Sequence, residues 1–202
     1  LITLLLVASC FENESIDAEK GLKGEVSFIL ETENRSDPLA TKVDDSGEVS
    51  VDAFLVEIVN ENGVKFFRER YKDIAGKSYG MNAGDYVLTA HYGDSLTVGF
   101  NHPYYVGTKN FTVHPEAIES VSVVAKLGNL KFAVEYGPNI QEAYQNFFTV
   151  VRNTDYGKSL RFSQEETRYG YMQTSMATAL SINSSLLWAN ILQVSLLNLP
   201  SI

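Results

Sequence analysis

Hydrophobic and polar residues alternate in short segments from about Gly24 to Leu130, and turn residues separate these segments. In the first segment, Val26, Phe28 and Leu30 fall on one face of an extended chain. Because successive side chains of a strand point to opposite faces, this alternation predicts antiparallel strands with one buried face. Seven or so such segments, roughly 8 to 15 residues apart, predict a β-sandwich, with a β-barrel as the alternative.

Two turn sequences organise this region. Strand-like residues 49–59 and 64–71 flank Asn60-Glu61-Asn62-Gly63, and an Asn-Gly pair between two such runs predicts a hairpin. A second turn, Asn82-Ala83-Gly84-Asp85, precedes a strand. The residues that we expect on the buried faces of this strand and the two strands after it are Tyr86, Leu88, Ala90, Tyr92, Phe111, Val113, Val121, Val123, Ala125 and Leu127. The polar stretch 32–48 is expected to be a loop.

The alternation restarts after Gly128-Asn129 with Leu130, Phe132, Val134 and Tyr136 on one face, which we interpret as the start of a second β domain. A two-turn helix is expected from Asn139, a candidate N-cap with Glu142 three residues later. The residues expected on its apolar face are Ile140, Ala143, Tyr144 and Phe147. Strands at 148–152 and 159–163, with Leu160 and Phe162 inward, would follow a turn at 153–157.

The last 32 residues, 171–202, contain no charged residue and no histidine, where the average of the chain predicts about 6 charges. Three explanations stay open: a buried pair of strands that closes the second domain, an apolar segment donated to a partner, or an end that is truncated or out of frame. A membrane span over 184–202 is disfavoured because Asn190, Gln193 and Pro200 interrupt it.

The single cysteine directly follows an apolar run. Residues 1–8 are uncharged and too short to cross a bilayer, and Leu6-Val7-Ala8-Ser9-Cys10 resembles the bacterial lipobox, in which small residues precede an acylated cysteine. A disulfide within the chain is excluded, and a catalytic thiol would need a base on a folded scaffold. We therefore expect lipidation at Cys10, with the rest of the signal peptide upstream and an acidic tether at 11–23.

Charge narrows the choice of partners. The chain has 16 Lys plus Arg against 25 Asp plus Glu, a net charge of −9, so the phosphates of nucleic acid would be repelled. The composition, with 45% hydrophobic and 20% charged residues, is that of a globular protein rather than a disordered one.

Catalytic and metal-binding patterns are weak. His91, His102 and His114 lack the close spacing of a metal pair, and 44–48 misses the spacing of an EF-hand loop. Neither Gly76-Lys77-Ser78 nor Gly157-Lys158-Ser159 has the earlier glycine of a P-loop. The adjacent pair Glu165-Glu166 would point to opposite faces of a strand, so an exposed charged loop is expected there. We expect no enzyme activity, no metal and no cofactor.

One segment has the composition of a ligand contact. In Asn101-His102-Pro103-Tyr104-Tyr105-Val106-Gly107, two tyrosines adjoin a proline on a connecting loop, where stiff aromatic rings offer contact area at low entropic cost. His102, Tyr104 and Tyr105 are the candidate ligand contacts. The competing interpretation is structural: one tyrosine packs over the edge of the sandwich and the other lies on the surface.

Four stretches carry a family resemblance: Val51–Phe54, Met81–Ala90, Pro103–Gly107 with Phe111, and Ala125–Phe132. Together they resemble the DUF4493 family, lipoproteins of the envelopes of anaerobic Gram-negative bacteria. The resemblance covers about residues 24–162 and implies transthyretin-like β-sandwich modules and display at the cell surface. It supplies no catalytic residues, and kinship with fimbrial and adhesin subunits follows only by analogy of fold.

The predicted fold is all-β, with two transthyretin- or immunoglobulin-like sandwich modules in tandem. We expect a signal remnant at 1–10, the tether at 11–23, a first domain at 24–128 and a second at 129–202. The second domain has one short helix, and it is incomplete if the end of the chain is truncated or out of frame. The expected role is non-enzymatic: adhesion, fimbria-like assembly or scaffolding by a lipid-anchored protein exposed at the outer membrane, with a protein partner or a glycan. A carbohydrate-binding accessory lipoprotein is the alternative.

Overall fold

A computed structural model of the chain describes residues 22–33, 49–173, 180–184 and 192–196. These residues form fourteen strands, two short α-helices and a 3-10 helix, which confirms the all-β prediction. The strands are β1 (Lys23–Thr32), β2 (Leu55–Asn60), β3 (Lys65–Arg70), β4 (Ser78–Asn82), β5 (Gly84–Tyr92), β6 (Gly99–Phe100), β7 (Tyr105–Val113), β8 (Ile118–Leu127), β9 (Leu130–Tyr136), β10 (Phe148–Asn153), β11 (Lys158–Ser163), β12 (Gly170–Met172), β13 (Leu180–Ser184) and β14 (Leu192–Leu196). The helices are the 3-10 helix Val51–Ala53, α1 (Tyr71–Ile74) and α2 (Pro138–Ala143).

Seven strands of the first half form one curled sheet in the order β3-β2-β5-β7-β8-β1-β4. Among the described residues, backbone pairing joins its two halves where Tyr105 and Val106 of β7 pair with Leu127 and Lys126 of β8. The alternating apolar residues of both halves pack into one core, so the sheet folds back on itself as a sandwich. The largest fully buried side chains of this core are Phe54, Ile58, Ile74, Met81 and Leu88.

The tight corner of the sandwich, where β7 and β8 approach closely, requires glycine at position 107. A Cβ atom on Gly107 of β7 would lie 2.5 Å from the carbonyl oxygen of Val124 in β8. Real Cβ atoms do not approach that closely, so any side chain at this position would push the two strands apart.

The predicted hairpin is confirmed, and its strands β2 and β3 pair antiparallel around residues 60–64. Two features differ from the sequence expectation. Residues 51–53, expected to open a strand, form a 3-10 helix because the Ser50 side chain accepts a hydrogen bond from the Asp52 N–H. In addition, β1 pairs with β8 in parallel, from Glu25 with Ile118 to Thr32 with Ala125, in an otherwise antiparallel sheet.

The second group of strands forms two small sheets, in the orders β14-β9-β12-β6 and β11-β10-β13. Leu130, Phe132, Val134, Phe162 and Met172 fill the core associated with them. Strand β6 comes from the connection between β5 and β7, so the first half of the chain supplies a strand to the second group. The boundary predicted at 128/129 remains a prediction.

The predicted helix of the second half is present but shorter than expected. Helix α2 has Gly137 as its N-cap and Pro138 in its first turn, and because glycine has no side chain the N-cap provides no capping hydrogen bond. The prediction of Asn139 as the N-cap was therefore wrong, because Pro138 starts the helix one residue before it. Tyr144 and Phe147 lie beyond the last helical residue.

The uncharged end of the chain contributes two strands. Strand β13 pairs antiparallel with β10, and β14 pairs antiparallel with β9. These pairings favour the first of the three explanations, strands that complete the domain, although the two strands belong to different sheets. Among the residues that the structure describes, no helix is long and apolar enough to cross a membrane. Of the loop predicted at 32–48, Thr32 is the last residue of β1, and residues 34–48 lie outside the described residues.

Candidate functional site

The three predicted ligand contacts lie in one segment but face different surroundings. His102 is exposed, and its ring lies over Gly99. Tyr104 is half-buried, and its ring lies beside Gly128. Tyr105 packs on the first core, with its ring 6.1 Å from that of Phe54. The structure therefore does not bring the three side chains together on one surface, and a ligand at this segment stays a prediction.

A buried asparagine explains the path of this segment. Asn129 is 1% exposed, and its amide nitrogen donates to the His102 carbonyl at 3.0 Å. Its side-chain oxygen accepts from the Tyr104 N–H at 3.2 Å, and the Gly128 N–H donates to the Tyr104 carbonyl at 2.7 Å. Residues 99–105 together with Asn129 form what we call the module joint, because they link the two cores.

The other end of the module joint is held by aromatic packing. The Phe100 ring of β6 meets the Phe162 ring edge to face at 5.0 Å, and the Arg168 guanidinium lies 4.7 Å above the Phe100 ring. Glu166 accepts two hydrogen bonds from the Arg168 guanidinium, at 2.9 and 2.8 Å. These bonds hold the pKa of the Glu166 carboxyl below its usual value. These contacts hold Phe100, the residue directly before the segment 101–107.

The titratable groups near the module joint fit this account. Burial, and secondarily the charge of Asp94, raises the pKa of the Tyr104 hydroxyl. The remaining histidines lie elsewhere: His114 contacts Glu119 at 2.7 Å, and His91 is on β5. Within the described part of the chain, no three metal-ligating side chains come together. Cys10, the predicted lipidation site, lies outside the described residues.

A depression of about 350 Å³ with both apolar and polar lining lies between the turn of the β2–β3 hairpin and strands β5 and β7, and the sequence alone did not indicate it. Asp85 and Val87 of β5 stand directly opposite Thr112 and Asn110 of β7. Glu61, in the turn of the β2–β3 hairpin, closes one side. We call this surface the hairpin depression; its lining residues are Glu61, Asp85, Tyr86, Val87, Asn110, Phe111 and Thr112.

Hydrogen bonds and ring packing fix the walls of the hairpin depression. The Thr112 hydroxyl donates to the Asp85 carboxylate at 2.5 Å, and the Glu61 N–H donates to the Asp85 carbonyl at 3.1 Å. Beneath them the Tyr86 and Phe111 rings stack at 5.6 Å, with an interplanar angle of 21°. The alternation of β5 could have placed Asp85 and Val87 on the outer face. The depression was missed because the register between β5 and β7 cannot be obtained from the sequence.

The described residues thus define a mainly antiparallel β protein with two large hydrophobic cores and a depression formed by β5, β7 and the turn of the β2–β3 hairpin. The profile of the domain of unknown function DUF4493 matches residues 23–197, and the chain belongs to this family. The match extends through strands β13 and β14, so the end of the chain, where the sequence offered no resemblance, is part of the family domain.

Two solved structures are distantly similar to the chain. One is a proposed polysaccharide-binding protein (DUF1812) from Bacteroides thetaiotaomicron, with 11% identity and a TM-score of 0.41 over 82% of this chain and 77% of that one. Another is a proposed adhesin from Bacteroides ovatus, with 8% identity and a TM-score of 0.39 over 92% of this chain and 77% of that one. No curated protein matches the chain.

Proposed function

We propose that this protein is a lipid-anchored surface protein of a bacterial envelope with a non-enzymatic role in adhesion or scaffolding. The observation that carries the proposal is Cys10 after the apolar run 1–8, with Ala8 and Ser9 as the small residues of a lipobox. Each buried methylene of an acyl chain contributes about 0.8 kcal/mol, so the two or three chains of a bacterial lipoprotein would hold the protein at a membrane.

The position of β1 fits a short anchor. The Leu22 carbonyl accepts from the Ala83 N–H at 2.7 Å, so the chain enters the sandwich beside the turn that precedes β5. Residues 11–22 span at most about 40 Å when fully extended. The folded part would therefore remain near the membrane surface, with its N-terminal end towards the bilayer.

In a role in adhesion or scaffolding, the ligand would be another protein or a glycan.

Detergent phase partitioning tests the anchor. The protein produced with its complete signal peptide in a Gram-negative bacterium should enter the detergent phase of Triton X-114, and Cys10→Ser should move it to the aqueous phase. Ser9→Ala is the matched control, because it keeps a small residue before the cysteine and should leave the protein in the detergent phase. Aqueous partitioning of the unsubstituted protein, or no change with Cys10→Ser, would contradict the proposal.

A further inference from the structure

The hairpin depression has unused hydrogen-bonding groups that face solvent. The Glu61 carboxylate and the Asn110 amide are both exposed, and neither makes a side-chain hydrogen bond with any residue the structure describes. Asp85 receives one hydrogen bond from Thr112 and, as a carboxylate, can accept more. Two carboxylates and one amide thus line an open depression of about 350 Å³.

These groups need little rearrangement to bind. Asp85, Thr112 and Asn110 lie on adjacent paired strands, and the hairpin turn that carries Glu61 is tied to β5 by the backbone hydrogen bond to Asp85. The Tyr86 hydroxyl donates to the Asn82 carbonyl at 3.0 Å, which fixes the strand from below. Sites built on strands are held more firmly than sites on free loops, so less entropy is lost on binding.

We propose that the hairpin depression is a binding site for a neutral saccharide. Sugar hydroxyls both donate and accept hydrogen bonds. They can donate to the carboxylates of Glu61 and Asp85, and they can donate to the oxygen or accept from the nitrogen of the Asn110 amide. The half-buried Val87 offers an apolar surface for the C–H face of a sugar ring.

Charge selects among saccharides. The lining contains two carboxylates and no cationic side chain, and the chain as a whole has a net charge of −9. Uronic acid or sulfated sugars would be repelled, whereas neutral sugars would not. This inference rests on the proposed surface-binding role, since it names the ligand class and the site through which that role would be exercised.

The test is NMR titration of the full chain carrying Cys10→Ser, labelled with ¹⁵N. The probes are neutral hexasaccharides of β-linked glucose, β-linked mannose, β-linked xylose and α-linked glucose, with hexagalacturonic acid and a tetralysine peptide as charged comparisons. We expect at least one neutral probe to shift the amide signals of Val87 and Asn110. Glu61→Gln and Asn110→Ala should each weaken that binding about tenfold. Thr108→Ala, on the same face of β7 but outside the depression, is the control and should not change it.

Each contrary outcome has a separate meaning. Tighter binding of hexagalacturonic acid or of tetralysine at these residues would overturn the neutral-saccharide assignment. Saccharide shifts confined to His102, Tyr104 and Tyr105 would overturn this site but leave the surface-binding role intact. If no neutral hexasaccharide shifted these signals, the inference would be overturned. The lipid anchor is tested separately, by the partitioning of Cys10→Ser.

Discussion

Replacing Asn129 by alanine is expected to loosen the module joint. Its side chain is 1% exposed and makes two hydrogen bonds, to the His102 carbonyl and from the Tyr104 N–H. An intact hydrogen bond contributes about 1 kcal/mol net, and an unsatisfied buried partner costs about 1–3 kcal/mol. The carbonyl of exposed His102 can be hydrated again, whereas the N–H of half-buried Tyr104 cannot easily be. We therefore expect Asn129→Ala to lower the free energy of unfolding by about 2–3 kcal/mol.

Urea denaturation followed by circular dichroism measures this loss as a shift in midpoint at constant slope. Asn82→Ala is the matched control, because Asn82 is exposed and its side chain makes no hydrogen bond with the described residues. This control should lie within about 0.5 kcal/mol of the parent protein. A loss at Asn129 as small as that of the control would refute the assigned role of the module joint.

Asn129→Asp sharpens the test through its pH dependence. The new carboxyl would be buried and would place an oxygen against the His102 carbonyl, so its pKa in the folded state should exceed the unfolded value of about 3.9. A raised carboxyl pKa in the folded state means that stability increases as the pH falls through that pKa. The difference in free energy of unfolding between Asn129→Asp and the parent protein should therefore become smaller from pH 7 to pH 4. An unchanged difference would contradict burial of this side chain.

Three further predictions concern packing and charge. Phe162→Ala empties a fully buried site in the second core and should cost about 3–5 kcal/mol of unfolding free energy in urea melts. Gly107→Ala should lower the free energy of unfolding by about 2 kcal/mol through its clash with β8. Gly80→Ala is the control and should be nearly neutral, because Gly80 has open space around it. Equal losses in the two variants would contradict the close approach of β7 and β8. The hydrogen bonds from Arg168 lower the folded-state pKa of Glu166, so their stabilisation should be lost as the pH falls from about 5 to 3, and Glu166→Gln should flatten that dependence. If the free energy of unfolding fell equally in the two proteins between about pH 5 and pH 3, this prediction would be contradicted.

The sequence was informative where structure is local. Alternation identified the buried faces of β1, β5 and β8, and the Asn-Gly turn identified the hairpin, because a strand with one buried face must alternate with period two. Local signals failed where a capping hydrogen bond decided the outcome, as at Ser50 before the 3-10 helix.

Long-range pairing could not be predicted from local patterns. The parallel pairing of β1 with β8 joins residues about 90 positions apart, and β6 is only two residues long, too short for any periodic signal. The role of Asn129 was hidden for the same reason, since a buried asparagine and an exposed one look alike in a sequence. The hairpin depression likewise depends on the register of β5 against β7.

Mass spectrometry of the N-terminal peptide, from protein isolated from the bacterium that makes it, tests the central claim most directly. The account predicts that the mature chain begins at Cys10 and that this residue carries acyl chains. A free thiol at Cys10, or a mature N-terminus at another residue, would contradict the lipid anchor and the surface role that depends on it.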